Sequence, residues 1–296
     1  MTPDILCIGS VLWDIIGRSP VVMRLGSDVP GRITRLPGGV AMNIAMTLRR
    51  FGLQPGLLTA IGRDAEGDEL VAACARMGME VGAIYRSEDL PTDRYMAVEG
   101  ANGLIAAIAD AHSLEAAGDK ILRPLADGRL GSAAAPWAGL IALDGNLTEA
   151  LLAEIAASPL FARADLRVAP ASPGKAERLL PLLAHPGATL YVNLEEARLI
   201  CAAEFATAAE AAEGMLARGA HRVLVTHGGA ACAEGTAGRG VITDSPPPVL
   251  VTRITGAGDT FMAAHIVAER RGEGREAALA AALRAAAIYV SGEIGS

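Results

Sequence analysis

Between residues 139 and 226 short apolar runs alternate with helix-like stretches, and that rhythm admits few architectures. Strands are expected near 139–143, 166–169, 189–193 and 221–226, with helices between and after them at about 147–157, 174–184, 195–202 and 207–218. Parallel strands need crossovers of about this length, so the pattern implies a mostly parallel sheet with helices on both faces. Upstream, residues 4–11 (DILCIGSV) and 57–61 read as further buried strands. Ala41, Ile44, Ala45, Leu48 and Phe51 recur at helical spacing before the stop at Gly52, and a second helix is expected at 67–77, ended by Gly78. Helices at about 257–270 and 276–290 close the chain.

Two stretches break the rhythm. Residues 17–37 carry Pro20, Gly26, Pro30, Gly31 and Pro37, the punctuation of short strands and turns. Residues 91–110 read as a hairpin with arms at 95–98 and 104–109 around the turn dipeptide Asn102-Gly103. The expected division is an α/β core of 1–14, 38–90 and 111–296, with 15–37 and 91–110 forming a small β lid over it. Ser132–Pro136 reads as a loop, and Ser245-Pro-Pro-Pro248 as a stiff extended connector.

Composition narrows the function. With 51% hydrophobic residues and a net charge of −7 over 296 residues, a disordered chain is excluded and a sizeable core is expected. An acidic chain without a Lys/Arg cluster in sequence lacks a phosphate-tracking surface, so no nucleic-acid partner is expected. The first apolar run is bracketed by Asp4 and Asp14, too short for a signal peptide or membrane span. Cys7, Cys74, Cys201 and Cys232 are dispersed and read as reduced, buried thiols of a cytoplasmic protein. His112, His185, His221, His227 and His265 show no metal-binding spacing.

The sharpest motif is Thr255-Gly256-Ala257-Gly258-Asp259, opening an apolar helix. Small residues let backbone amides crowd an anion, and a helix N-terminus adds partial positive charge. Asp259 would repel a simple phosphate ligand. It fits a base that takes an alcohol proton while neighbouring amides hold a transferring phosphoryl group. A helix cap on a plain turn is the alternative. Asn193 and Glu196 end a strand three residues apart, where they can orient waters on a magnesium ion or simply cap a helix. Gly38-Gly39 and Asn43 permit close approach of a ligand to backbone and offer an amide to a hydroxyl; a turn is the plainer reading. Asp14 can accept from sugar hydroxyls or serve a turn.

In this order the motifs resemble the PfkB (ribokinase-like) family of ATP-dependent carbohydrate and nucleoside kinases, from Ile5 to about Val290. The resemblance implies a doubly wound α/β domain with a β lid. It also implies Asp259 as catalytic base, an anion hole of Gly256, Ala257 and Gly258, and magnesium held through water by Glu196 with Asn193. Asp14, Gly39 and Asn43 would contact the acceptor, and Asn193, Thr226 and Gly228 would lie near ATP. His227 stands where an apolar residue is commoner and is assigned no role. Arg253 stands where many relatives carry an Asp of a monovalent-cation site, a departure from the potassium-binding pattern. Gly39-Val-Ala-Met-Asn43 and the lid stretch from Tyr95-Met-Ala-Val-Glu99 to Gly103-Leu-Ile-Ala-Ala-Ile-Ala-Asp110 are similar to the pseudouridine kinase branch. The expected activity is phosphorylation of the pseudouridine ribose 5′-hydroxyl. Ribose, fructose or a related sugar or nucleoside is the alternative acceptor, and a non-catalytic nucleotide or sugar sensor the non-enzymatic one. A Rossmann dehydrogenase is disfavoured because Gly9-Ser-Val-Leu-Trp-Asp14 lacks the dinucleotide-binding glycine spacing. Exposed lid edges suggest a homodimer.

Overall fold

The computed structural model describes residues 2–24, 26–252 and 254–292. Arg253, singled out above for its departure from the cation-site pattern, lies outside the described residues.

Eight strands form the central sheet. Reading across it, they are Gly240–Asp244, Cys232–Thr236, Arg222–Thr226, Ala188–Asn193, Asp165–Ala169, Leu140–Asp144, Ile5–Ile8 and Pro55–Leu58. The pairs from Arg222–Thr226 to Pro55–Leu58 are parallel; the two strands at the far edge are antiparallel. Alternate strand residues serve opposite faces, as the two-residue repeat of a strand requires. Leu6, Ile8, Ile141, Leu143, Leu190 and Val192 pack against one helical layer. Ile5, Cys7, Ala142, Tyr191 and Leu224 pack against the helices Val40–Arg50, Ala65–Arg76, Ala257–Arg270 and Arg275–Ser291. The sheet is thus doubly wound, and all four cysteines are free and buried in it or its helices.

The chain leaves Ile5–Ile8 toward Pro55–Leu58 on one side and later returns to Leu140–Asp144 on the other. The carboxyl ends of Ile5–Ile8 and Leu140–Asp144 therefore flank the topological switch point, where open α/β sheets form their ligand crevice. A separate four-stranded sheet, Arg32–Gly38, Leu12–Arg18, Arg94–Gly100 and Gly103–Asp110, rises from the chain segments beside it.

Several local expectations needed correction. The expected strand 57–61 breaks at Thr59, and Ala60–Gly62 pairs with Tyr85–Ser87 in a two-stranded sheet of its own. The expected helix at 174–184 is a 3₁₀ helix, Pro173–Leu182. Pro181 lacks the N–H that an α-helical ladder would need there. The edge hairpin Cys232–Thr236 and Gly240–Asp244 was not anticipated, because its strands are short and hold few large apolar residues.

On the helix face opposite the crevice end lies a buried ionic cluster. Arg167 contacts Asp165 and Glu269, while Arg222 and Arg275 both reach Glu234, which is fully buried. Arg167 also donates to the Tyr191 hydroxyl at 3.0 Å, and that hydroxyl lies 2.9 Å from His265 Nδ1. The Nδ1 atom shares a hydrogen bond with that hydroxyl, and Nε2 faces Glu234 at 3.9 Å. Burial lowers the His265 pKa, which keeps the ring neutral.

Candidate active site

Several segments far apart in the chain form the crevice. Asp14 sits on the strand Leu12–Arg18, and its carboxyl lies against Gly38. Gly39 follows with φ +95°, and a Cβ there would fall 2.5 Å from the Ser10 carbonyl oxygen. Only glycine fits that turn, which sets the N-terminus of Val40–Arg50 beside Ser10. One turn into that helix, Asn43 donates from Nδ2 to Asp259 Oδ2 at 3.1 Å. The crevice thus joins Asn43 and Asp259, which are 216 positions apart in the chain. Gly39 leads directly into that helix, and Asp14 lies on the strand paired with Arg32–Gly38, which precedes it.

Asp259 occupies the first turn of Ala257–Arg270. Burial pushes its carboxyl up to about 7; the Asn43 amide opposes that, and the charges of Asp144 and Glu196 add to it. A base whose pKa lies near neutrality combines availability with proton affinity. Gly256, with φ +87°, caps this helix, and a Cβ there would strike the Tyr289 hydroxyl at 2.6 Å. That hydroxyl donates to the Thr255 carbonyl at 2.8 Å, so the last helix pins the turn. The Ala257 N–H is turned to the Ile254 carbonyl at 3.0 Å. Gly258, as the second residue of the helix, has no intrahelical carbonyl to bond and presents its amide at the positive end of the helix dipole.

Asp144 is the residue that the motifs did not reveal. It ends its strand, is wholly buried, and accepts at Oδ2 from the amides of Ser10 (2.8 Å) and Ala41 (3.3 Å). Oδ1 takes the Asn146 N–H at 2.8 Å. Asn146 donates in turn to the Ser10 hydroxyl at 3.0 Å and accepts from Lys175 Nζ at 2.6 Å. A signal was present in the sequence: an acid closing an apolar strand just before Gly145-Asn146.

Asn193 and Glu196 form a reciprocal capping box: the Asn193 side chain accepts from the Glu196 N–H at 2.9 Å, and Glu196 Oε2 from the Asn193 N–H at 2.7 Å. Burial pushes Glu196 up to about 7 against that backbone bond, with Glu195 adding to the rise. Among the described residues no group of three His, Cys, Asp or Glu side chains can hold a metal by itself. One Glu196 oxygen remains beyond the cap, which fits contact with a water of a hydrated magnesium ion better than direct ligation. Thr226 lies beside Asn193 in strand register, and Gly228 (φ +55°) follows in an exposed turn. Tyr95, on the first arm of the expected hairpin but given no site role there, pairs in register with Asp14 and so shares its sheet face.

Residues 2–293 match the family model described as "pfkB family carbohydrate kinase". An uncharacterized sugar kinase of Escherichia coli is 30% identical over 142 residues, covering 48% of this chain and 38% of the relative. The pseudouridine kinase of Escherichia coli is 35% identical over 77 residues, covering 26% of this chain and 25% of the relative. The matched stretches thus span well under half of these curated relatives. The crystal structure of a ribokinase from Thermotoga maritima superposes with a TM-score of 0.78 at 22% identity, over 99% of this chain and 94% of that one, and shows the shared fold.

The raised Asp259 pKa carries a stability signature. The unfolded carboxyl titrates at about 4, the folded one at about 7. The folded protein therefore holds the proton more tightly, and stability is lost as pH rises through that window. Asp259→Asn removes this penalty and keeps an acceptor for Asn43. Calorimetry should show a higher Tm than wild type at pH 8, with the gap closing below about pH 5. An equal Tm difference at both pH values would show that burial does not perturb this carboxyl.

Proposed function

The chain belongs to the pfkB family of carbohydrate kinases, and on that footing we propose that it transfers the γ-phosphoryl group of ATP to a sugar hydroxyl. The observation that carries this reading is the placement of Asp259: a carboxyl with its pKa near 7, in the first turn of a helix, within hydrogen-bond reach of Asn43. Asp259 takes the hydroxyl proton, the freed oxygen bonds to the γ-phosphorus, and the bond to the ADP oxygen breaks. The Gly258 amide and the helix terminus face the charge on the transferring group. Magnesium, when bound with ATP, neutralises phosphate charge, and Glu196 with Asn193 would hold one of its waters. Asp14, Gly39 and Asn43 would orient the acceptor, and Thr226 and Gly228 would line the nucleotide side.

The preferred acceptor in this reading is pseudouridine, phosphorylated on its ribose 5′-hydroxyl. Support comes from the partial likeness to a pseudouridine kinase and from Tyr95, whose ring shares the Asp14 face and can stack on a base. A ribose or fructose kinase is the second reading, favoured by the likeness to a sugar kinase. The small sheet would close over the acceptor and exclude water, its competitor as nucleophile. On the sheet face away from Asp14, Ile15, Met96 and Ile108 align in register with Met96 and Ile108 exposed, and Ile33 is exposed on the neighbouring row. We assign that apolar face to a second copy of the chain.

Three outcomes are expected. Asp259→Asn should lose about 10²–10⁴ in kcat while still binding ATP, and near-normal turnover by the folded variant would remove Asp259 as base. Initial rates should rank pseudouridine above uridine, adenosine, ribose and fructose, because buried groups that pair with a base are left unsatisfied by a free sugar; preference for ribose or fructose would select the second reading. Light scattering should give a dimer mass that Ile108→Asp lowers, whereas a monomeric wild type would reject the assembly.

A further inference from the structure

Away from the crevice, the strand Tyr85–Ser87 and the 3₁₀ helix Gly118–Leu125 flank an open cavity of about 300 Å³. Its wall carries five cations: Arg63, Arg86, Lys120, Arg123 and Arg129. This is an unusual concentration in a chain of net charge −7. Three of them have acidic partners: Arg63 with Glu88 at 2.8 Å, Arg86 with Asp68 at 2.7 Å and Arg129 with Asp127 at 2.7 Å. Lys120 and Arg123 have no carboxylate within ion-pair distance among the described residues; Lys120 stands over the Tyr85 ring at 5.7 Å. Arg86 Nε is buried without a hydrogen-bond partner. An unmatched buried donor and uncompensated like charges are both unfavourable unless an anion joins them.

We propose that this cavity is a second ligand site, separate from the crevice, that binds a phosphate monoester or phosphoanhydride. The charge agrees: two unpaired cations match the roughly −1.5 to −2 carried by a phosphate monoester near neutral pH. Guanidinium groups suit phosphate oxygens, which they can grip through paired N–H donors. The space agrees as well. Ala83 and Arg129 also line an adjoining open cavity of about 710 Å³, bordered by the turn 128–132, which can take the organic body of the ligand. The site touches the small sheet's supports. Arg86 donates to the Gly62 carbonyl at 2.7 Å, and Asp64, two residues on, holds the Thr92 N–H at 2.7 Å just before the strand Arg94–Gly100.

Equilibrium dialysis with labelled inorganic phosphate, ADP and ribose 5-phosphate, each against wild type and a Lys120→Ala/Arg123→Ala double variant, tests this. Wild type should bind at least one of the three at two classes of site. The double variant should keep the crevice class and its kcat/KM, and bind at least about tenfold more weakly at the other. A Lys120→Arg/Arg123→Lys variant, which keeps both charges, should restore the lost class. The three ligands distinguish a free phosphate from a nucleotide or a sugar phosphate as the occupant. A single class in wild type for all three, or unchanged binding by the double variant, overturns the proposal. Binding is read without turnover, so this result stands apart from the kinase assignment.

Discussion

The buried carboxylate of Asp144 joins three parts of the chain that would otherwise meet with unpaired amides. Ser10 after the first strand, Ala41 at a helix start and Asn146 in the following loop all donate to it. A fully buried acid is tolerated only when its oxygens are satisfied, and here each is. The arrangement fixes the switch point of the sheet. From there Val40–Arg50 is aimed so that Asn43 meets Asp259. Removing the Asp144 carboxylate would leave several amides without acceptors, so the geometry of the acceptor side depends on a residue with no direct part in proton transfer.

At this end of the sheet the charges of Asp144 and Glu196 both act on the Asp259 carboxyl. Such a group opposes an anionic ligand, yet Val40–Arg50, Leu194–Cys201 and Ala257–Arg270 start here and turn their positive ends toward it. In the proposed reaction the two fields would act on different atoms. Helix termini and amides would address phosphate oxygens, while the carboxyls of Glu196 and Asp259, both pushed up to about 7, would address protons and metal-bound water. A simple anion-binding protein would gain from the helix starts and lose from the acids. A site that must deprotonate an alcohol uses both.

Much of this was legible in the sequence for a local reason. The parallel strands are short apolar runs, the helix Ala257–Arg270 begins directly after Gly256, and Asn193 with Glu196 has the spacing of a capping box. The same spacing was equally a cap and a metal-water site, and the structure shows the cap directly. What stayed hidden depends on contacts distant in sequence. Asp144 gains meaning only from Ser10, 134 positions away. Tyr289 matters because it reaches Thr255, and Tyr95 because strand register sets it beside Asp14. The basic cavity has no signature in the sequence, because Arg63, Arg86, Lys120, Arg123 and Arg129 are scattered along the chain and only folding gathers them.

The helix that carries Asp259 is held at both ends, and this explains an otherwise costly feature. Buried ion pairs give little net stability, because desolvation offsets much of the attraction. Yet Arg167 and Arg222 both grip Glu269 near the end of this helix, and His265, one turn earlier, meets the Tyr191 hydroxyl. At the other end Tyr289 holds the turn before Gly256. An apolar helix on an apolar sheet can shift by a residue at small cost, since one small hydrophobic side chain replaces another. Ala263, Ala264 and Ala268 give this helix just such a surface. A one-residue slip rotates every side chain by about 100° and would carry Asp259 away from Asn43. Ion pairs tolerate no such substitution, so the cluster at the far end of the sheet sets the register on which the carboxyl in the crevice depends.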